Sequence, residues 1–151
     1  RLARWLRLTW HDVLYVNELD LPPEKQDEFL LQKSRENYIV VTSDRSLYQR
    51  VIREGGRASF IQSSELTEQL IELSREVPLE INLEESRCPL CNGELEEVGR
   101  DEVAGAVPQS VLQRHELFWR CVRCGKIYWQ GTHWKNILAT LEEFEKKKNE
   151  A

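Results

Sequence analysis

The stretch YIVVTSDRSLYQRV, Tyr38 to Val51, decides the fold of the first half of the chain. An apolar, β-branched run that is typical of a strand buried on both faces ends at Thr42. Apolar residues spaced four apart follow it, which predicts a helix. An acid and a base, Asp44 and Arg45, lie at the junction. Helix capping and chemistry are both open explanations for them.

The same alternation continues on both sides of this stretch. The sequence predicts a helix in RLARWLRL, a strand in DVLYV (residues 12–16), a helix from the Pro22-Pro23 pair, a strand in ASFIQS and a helix in SELTEQLIELSREV. Alternating strands and helices indicate an α/β fold with a parallel sheet flanked by helices. Because the chain opens directly on a helix, we expect a first strand that is missing from it.

Composition bounds the class of protein. The chain has 151 residues, of which 40% are hydrophobic and 31% are charged, which fits one or two small globular domains. No apolar run approaches the roughly 20 residues of a membrane span, and no secretion signal is present. We therefore expect a cytoplasmic protein with no membrane partner. The net charge of −5 argues against a broad electrostatic grip on nucleic acid but permits a local one.

Two C-x-x-C pairs are the strongest chemical signal. They are CPLC, with Cys88 and Cys91, and CVRC, with Cys121 and Cys124. Four thiolates in paired knuckles suit tetrahedral Zn²⁺ in a closed structural site, which would stabilise a small domain directly. Two disulfides, a redox pair and an iron site are the alternatives. The paired spacing and the missing secretion signal favour a structural zinc ribbon.

The second knuckle lies in FWRCVRCGKIYWQGTHW, where aromatic residues alternate with Arg120, Arg123 and Lys126. Aromatic and basic side chains together can stack on unpaired RNA bases, or the aromatics can form the core of the ribbon. We predict core for most of the aromatics and RNA contact for the three basic residues. For His115 and His133 we predict surface or packing roles, because four thiolates already fill the metal shell.

Domain organisation follows from where the alternation ends. Strands and helices cease to alternate within PLEINLEES, residues 78–86. We therefore predict an α/β domain over residues 1–85 and a four-cysteine zinc ribbon with a C-terminal helix over residues 86–151.

Acidic residues give a second candidate site. Ligands of parallel α/β sheets bind beyond the carboxyl ends of the strands, where Asp44 is placed. A carboxylate there can hold Mg²⁺ or Mn²⁺, which activates water for phosphodiester cleavage. Asp27 and Glu28 on the next helix, and Glu18 and Asp20 after DVLYV, could complete such a site. The alternatives are a helix N-cap for Asp44 and solvated surface for the other four.

Several motifs together resemble one family. RLARWLRLTWHDVLYV, DEFLL and TSDRSLYQR cover the first half, and SRCPLCNGELEEV, VAGAVP and HELFWRCVRCGKIYWQGTHW cover the second. They resemble the Mut7-C family, a PIN-like ribonuclease domain followed by a zinc ribbon. The resemblance implies a PIN-like fold in which acids at the carboxyl edge of a parallel sheet bind divalent metal and cleave RNA.

The resemblance also implies roles for single residues. Asp44 matches the family's acid after the strand, Asp27 matches the acid of its D-E-x-L-L motif, and Glu28 is the nearest substitute. Arg45 is then placed to contact a phosphate. We expect Ser43 to cap the helix while Asp44 faces the metal. The family's first acid precedes the segment with which this chain begins, and LTWHDV replaces the family's glycine-containing turn.

The sequence thus predicts an endoribonuclease that uses catalytic Mg²⁺ or Mn²⁺, with a zinc ribbon that positions RNA. Ribosomal RNA, transfer RNA and the ribosome itself are candidate partners. Two other hypotheses stay open: a non-catalytic RNA- or ribosome-binding protein with a PIN-like fold, and a protein-interaction module. An acid just upstream of the first residue would favour the nuclease over the binding protein.

Overall fold

A computed structural model describes residues 1–79, 81 and 86–150, with the side chains of all of these except residues 132 and 133. The described residues divide into two compact units. The sheet unit comprises Leu2, Tyr15–Glu80 and Glu143–Ala151, and the ribbon unit comprises Arg1, Ala3–Leu14 and Ile81–Glu142. The predicted domain boundary at residues 85 and 86 lies at the edge of a segment outside the described residues, and the division into 1–85 and 86–151 stays a prediction.

Helices and strands follow one another in this order: α1 (Leu2–Leu8), a 3-10 turn (Val16–Glu18), α2 (Pro23–Arg35), β1 (Val40–Thr42), α3 (Arg45–Arg53), β2 (Ala58–Phe60), α4 (Leu66–Glu76), β3 (Leu95–Val98), α5 (Arg100–Val103), α6 (Gln109–Arg114), β4 (Phe118–Cys121), β5 (Ile127–Tyr128) and α7 (Thr132–Glu150). The predicted helices and the strands β1 and β2 are confirmed. None of the helices in the described part of the chain combines the length and the apolar character that a membrane span needs.

The sheet unit is built on a short parallel sheet. Strands β1 and β2 pair in parallel, with Val40 opposite Ala58 and Thr42 opposite Phe60. This pairing confirms the coarser part of the predicted fold class, a mixed α/β structure with a small parallel sheet, and the PIN-like fold stays a prediction. The carboxyl ends of both strands lie at one edge of the sheet, where α3 begins.

Apolar residues at helical spacing form the core of the sheet unit. The buried side chains of this cluster come from α2, β1, α3 and β2: Leu31, Val40, Leu47, Val51 and Ala58. Helix α4 buries a second row of leucines, as its periodicity predicted: Leu66, Leu70 and Leu73. Strand β1 is buried on one face only, because Val41 is 38% exposed. The prediction of burial on both faces was wrong, since alternate residues of a strand point to opposite faces and only one face is covered.

The ribbon unit contains a three-stranded antiparallel sheet in the order β3-β4-β5. Helices α5 and α6 lie between β3 and β4 in the chain. The core of this sheet is Val98, Val103 and Phe118, and Trp129 packs against it. The prediction that ribbon aromatics serve as core is therefore confirmed for Phe118 and Trp129.

The strand that DVLYV predicts does not form. Residues 11–15 have no regular structure, and a 3-10 turn begins at Val16. The backbone groups of Val13 bind side chains instead of a neighbouring strand. Its N–H donates to Asn92 Oδ1 over 3.0 Å, and its carbonyl accepts from Nε and Nη2 of Arg7 at 3.0 and 2.8 Å. These tertiary partners override the local strand preference.

Candidate metal centre

Two backbone turns bring the four cysteines together. In the first turn Cys88 N–H donates to the Gly93 carbonyl over 2.8 Å, and Asn92 N–H donates to the Cys88 carbonyl over 2.8 Å. In the second turn Gly125 N–H donates to the Cys121 carbonyl over 3.0 Å. The β3–β4 pairing, which sets Leu95 opposite Cys121, brings the two turns to one end of the sheet.

The sulfur atoms have the separation that a metal ion requires. Cys88 Sγ lies 3.7 Å from Cys124 Sγ, and Cys91 Sγ lies 3.4 Å from Cys121 Sγ. All four sulfurs lie within 4.8 Å of one another. A tetrahedral zinc site with Zn–S bonds of about 2.3 Å places its sulfurs about 3.8 Å apart. The four cysteines are free thiols, and they form a group that could hold a metal ion, with zinc the best chemical fit.

Hydrogen bonds prepare one of these thiols for ionisation. Burial by itself would raise the pKa of Cys121, but the N–H groups of Cys124 and Arg123 donate to its sulfur and lower the pKa to about 7. Both N–H···Sγ distances are 3.4 Å. Burial raises the pKa of Cys91 to about 12, and its hydrogen bond with Cys121 acts in the same direction. Cys121 therefore ionises more readily than Cys91, and a bound metal would favour the thiolate form of both.

A tyrosine contacts the most buried ligand. Tyr128 Oη lies 2.9 Å from Cys88 Sγ, and Cys88 is fully buried. Burial and this contact with the sulfur raise the pKa of Tyr128, so its hydroxyl keeps its proton and can donate it to a Cys88 thiolate. A donor of this kind orients a metal ligand and tunes its charge.

Glycine at position 93 leaves room for the sulfurs. A Cβ added at Gly93 would lie 2.8 Å from Cys121 Sγ and 3.2 Å from Cys91 Sγ. Glycine at position 125 has a conformational reason, because its φ of +79° lies in the left-handed region that favours glycine. In the first knuckle the left-handed residue is Asn92, with a φ of +69°, and the reason for glycine at position 93 is space beside the sulfurs.

Helix α1 and the loop after it belong to the same compact unit as the metal centre. The Arg7 side chain is 2% exposed, and its Nη1 donates to the Pro89 carbonyl over 2.9 Å. Asn92 donates to Asp12 Oδ1 over 2.6 Å while it accepts from Val13 N–H. Ser86 Oγ donates to the Leu8 carbonyl over 2.6 Å. These contacts flank the first knuckle on both sides, and no periodic pattern of residues indicates them.

The predicted catalytic acids lie in the sheet unit. Asp44 is at the carboxyl end of β1, as expected, and it is the N-cap of α3. Its Oδ1 accepts from the N–H groups of Ser46 and Leu47 at 2.9 and 3.2 Å. The expectation that Ser43 caps the helix was wrong, because Asp44 itself makes both capping bonds. The Asp44 side chain is nevertheless exposed.

Asp27 and Glu28 lie on α2 and are exposed. Glu28 Oε1 pairs with Arg50 Nη2 over 2.9 Å. Among the side chains that the structure describes, the four cysteines are the only group of three or more metal-binding residues close enough to share an ion. A metal site built from Asp44, Asp27 and Glu28 therefore stays a prediction.

The predicted RNA-contacting residues all reach the surface. The guanidinium of Arg45 lies 5.5 Å from the Phe60 ring centroid. In the ribbon unit Arg120 pairs with Glu96 over 3.5 Å, Arg123 donates to the Cys91 carbonyl over 3.2 Å, and Lys126 Nζ lies 5.6 Å from the Tyr128 ring centroid. Contact with RNA stays a prediction for each of the four.

A small parallel sheet in one unit and a four-cysteine cluster in the other define the class: a mixed α/β protein with four cysteines that could hold a metal ion. The family model of the Mut7-C RNAse domain matches residues 1–141, and the chain belongs to this family. The resemblance seen in the sequence motifs is thereby confirmed. Searches of curated proteins and of solved structures find no match to the chain.

Proposed function

We propose that this protein is a metal-dependent endoribonuclease with a PIN-like fold, in which Asp44 is a catalytic metal ligand. The observation that carries the proposal is the match of residues 1–141 to the Mut7-C RNAse domain. The parallel β1–β2 pair supports it, since Asp44 lies at the edge of the sheet where parallel α/β proteins bind their ligands.

The geometry of Asp44 supports a double role. Both capping hydrogen bonds reach Oδ1, and within the described residues no side chain or N–H donates to Oδ2. The capping bonds therefore hold the Asp44 carboxylate in one orientation, and Oδ2 is available to a cation or a water molecule. Bound Mg²⁺ or Mn²⁺ would supply activation of water and charge stabilisation. Arg45, which follows Asp44 directly, is our candidate for contact with the phosphate.

The described acids alone do not make a complete divalent site. Glu28 is engaged with Arg50, and Asp44 is not part of any group of three metal-binding side chains in the described residues. We therefore propose Asp44 as one ligand, with Asp27 and Glu28 as candidates for the others.

We propose zinc as the structural metal of the ribbon. Zinc would be held by the four thiolates, and its binding would contribute directly to the folding of the ribbon unit. The ribbon would then position RNA through Arg120, Arg123 and Lys126. Metal analysis should find about one zinc ion per chain, as a single tetrahedral site requires. Cys121→Ser should lose it, and a variant that keeps both zinc and fold would refute the four-thiolate site.

Cleavage of a labelled single-stranded RNA, with and without Mn²⁺ or Mg²⁺, tests the nuclease. The key variant is Asp44→Asn, because asparagine caps a helix about as well as aspartate and the fold is preserved. We expect cleavage that depends on the divalent metal and is lost in this variant. Asp101→Asn, which removes an exposed acid from α5, is the matched control and should keep full activity. Equal cleavage by Asp44→Asn and the wild type would refute the assignment.

A second candidate is a non-catalytic RNA-binding protein. One observation favours it: among the described residues, no three acidic side chains lie close enough together to share a metal ion. RNA binding by the wild type without any cleavage in Mn²⁺ or Mg²⁺ would select this candidate over the nuclease.

A further inference from the structure

Trp10 has a backbone conformation that its side chain disfavours. Its φ is +89°, in the left-handed region that bulky residues rarely adopt. Trp10 follows the last turn of α1, where its N–H donates to the Arg7 carbonyl over 3.2 Å and His11 N–H donates to the Leu6 carbonyl over 2.9 Å. Helix ends of this type favour glycine at the left-handed position. Tryptophan at this position destabilises the turn relative to glycine, so the presence of Trp10 requires another explanation.

The Trp10 ring faces solvent beside a positive charge. Its side chain is 46% exposed, and the guanidinium carbon of Arg87 lies 6.0 Å from the ring centroid. Arg87 Nη1 donates to the Asn92 carbonyl over 3.2 Å, which fixes the guanidinium next to the first knuckle. In the described part of the chain no carboxylate forms an ion pair with Arg87. A guanidinium without a carboxylate partner among the described residues therefore lies over one face of a partly exposed ring.

The distribution of charge favours an anionic ligand on this unit. The ribbon unit has 10 basic and 10 acidic residues in its sequence ranges, to which four thiolates around one Zn²⁺ would add a charge of −2, whereas the ranges of the sheet unit carry −5. Repulsion of an anion is therefore weaker at the ribbon unit. An aromatic face beside a free guanidinium suits a nucleotide, because the base stacks on the ring and the phosphate pairs with the charge.

We propose that Trp10 and Arg87 form a stacking site for one unpaired nucleotide of single-stranded RNA. The base lies on the exposed face of the Trp10 ring, and Arg87 contacts the adjoining phosphate. This inference rests on the proposed RNA-directed function, but it concerns a site distinct from Asp44 and from the basic residues of the second knuckle. The backbone strain at Trp10 is retained because the ring is needed for binding.

Fluorescence anisotropy with a labelled ten-nucleotide oligouridine tests the site, using zinc-loaded protein in buffer without Mg²⁺ or Mn²⁺. Loss of one stacked base lowers affinity about 5- to 150-fold, so we expect Trp10→Gly to bind more weakly by a factor in this range. The same variant should unfold at a higher temperature than the wild type, because glycine relieves the left-handed strain. Weaker binding combined with higher stability cannot result from misfolding.

Matched controls separate stacking from charge. Ile52→Ala removes an apolar side chain that is also 46% exposed, but on α3 of the sheet unit, and should bind the oligomer like the wild type. An abasic oligomer of the same length should bind the wild type and Trp10→Gly equally. Arg87→Gln should weaken binding of both oligomers, since the phosphates are common to them.

The outcomes distinguish this inference from the proposed function. If the wild type binds oligouridine and Trp10→Gly binds it equally well, the stacking site is refuted while the RNA-directed function stands. If the wild type does not bind oligouridine in this assay, the stacking site is refuted, while cleavage in Mn²⁺ or Mg²⁺ decides the nuclease separately. If Trp10→Gly is less stable than the wild type, Trp10 is a packing residue and the explanation from strain fails.

Discussion

Replacing Arg7 by methionine is the sharpest test of how helix α1 and the first knuckle stabilise each other. Methionine keeps an unbranched stem in the buried site but removes three donors. The Val13 carbonyl loses Nε and Nη2, and the Pro89 carbonyl loses Nη1, at distances between 2.8 and 3.0 Å. Both carbonyls are thereby deprived of a charged donor.

The magnitude follows from the two carbonyls. A fully buried acceptor that loses its partner costs roughly 1–3 kcal/mol, so these two carbonyls, whose hydrogen bonds are partly buried, give at most roughly 2–6 kcal/mol. Methionine recovers part of this, because the buried guanidinium no longer has to be stripped of water. We therefore expect Arg7→Met to lower the free energy of unfolding by about 2–4 kcal/mol. Arg7→Lys should lower the free energy of unfolding by less than Arg7→Met does, because one ammonium group can still reach one of the two carbonyls.

Urea unfolding of the zinc-loaded protein, followed by circular dichroism and by zinc release to a chromogenic chelator, measures the effect. Arg4→Met is the matched control, because Arg4 is exposed on the same helix. Exposed substitutions of this kind change stability by about 0.5 kcal/mol or less. A loss below about 0.5 kcal/mol for Arg7→Met, or an equal loss in both variants, would refute the role assigned to the Arg7 hydrogen bonds.

Three further changes test the metal centre and the cap. Gly93→Ala places a Cβ 2.8 Å from Cys121 Sγ and should lower the affinity for zinc, which competition with a chelator measures. Unchanged affinity would show that the turn can shift freely. Tyr128→Phe removes the hydroxyl 2.9 Å from Cys88 Sγ and should weaken zinc binding about 10- to 100-fold in the same assay, whereas an unaltered constant would exclude a role for the hydroxyl. Asp44→Ala removes the α3 cap and should lower the free energy of unfolding in urea by about 1 kcal/mol. Asp44→Asn should stay close to the wild type, because asparagine also caps helices. Equal losses of stability in the two variants would contradict the capping role.

Local periodicity was enough to predict the helices of the sheet unit. Leu47 and Val51 on α3, and Leu70 and Leu73 on α4, are buried as their spacing requires. The two C-x-x-C pairs likewise predicted the cysteine cluster, because each pair is a short local turn and one sheet pairing suffices to join them. These features depend on residues close in sequence or on a single long-range pairing.

The errors arose where distant side chains bind the backbone. DVLYV has the composition of a strand, yet the N–H of Val13 is taken by Asn92, 79 residues away. Arg7 has the spacing of a solvent-facing residue on α1, but Pro89, 82 residues away, accepts from it, and its side chain is buried. Nothing in the sequence near Val13 or Arg7 encodes these partners. Asp44 differs, since its cap is a local contact and was among the alternatives considered.

The contacts of α1 change the interpretation of the cysteine centre. A zinc ribbon is commonly treated as a separate module appended to a catalytic domain, and the chain order suggested such a division here. Helix α1 instead belongs to the ribbon unit, where the Arg87 N–H donates to the Arg7 carbonyl over 2.7 Å and Arg7 itself donates to Pro89. Because Pro89 lies between the first two cysteines, the order of that knuckle and the order of α1 depend on each other. A metal held by the four thiolates would therefore stabilise the N-terminal helix as well as the ribbon, which gives a physical reason for the family's two sequence halves to occur together in one chain.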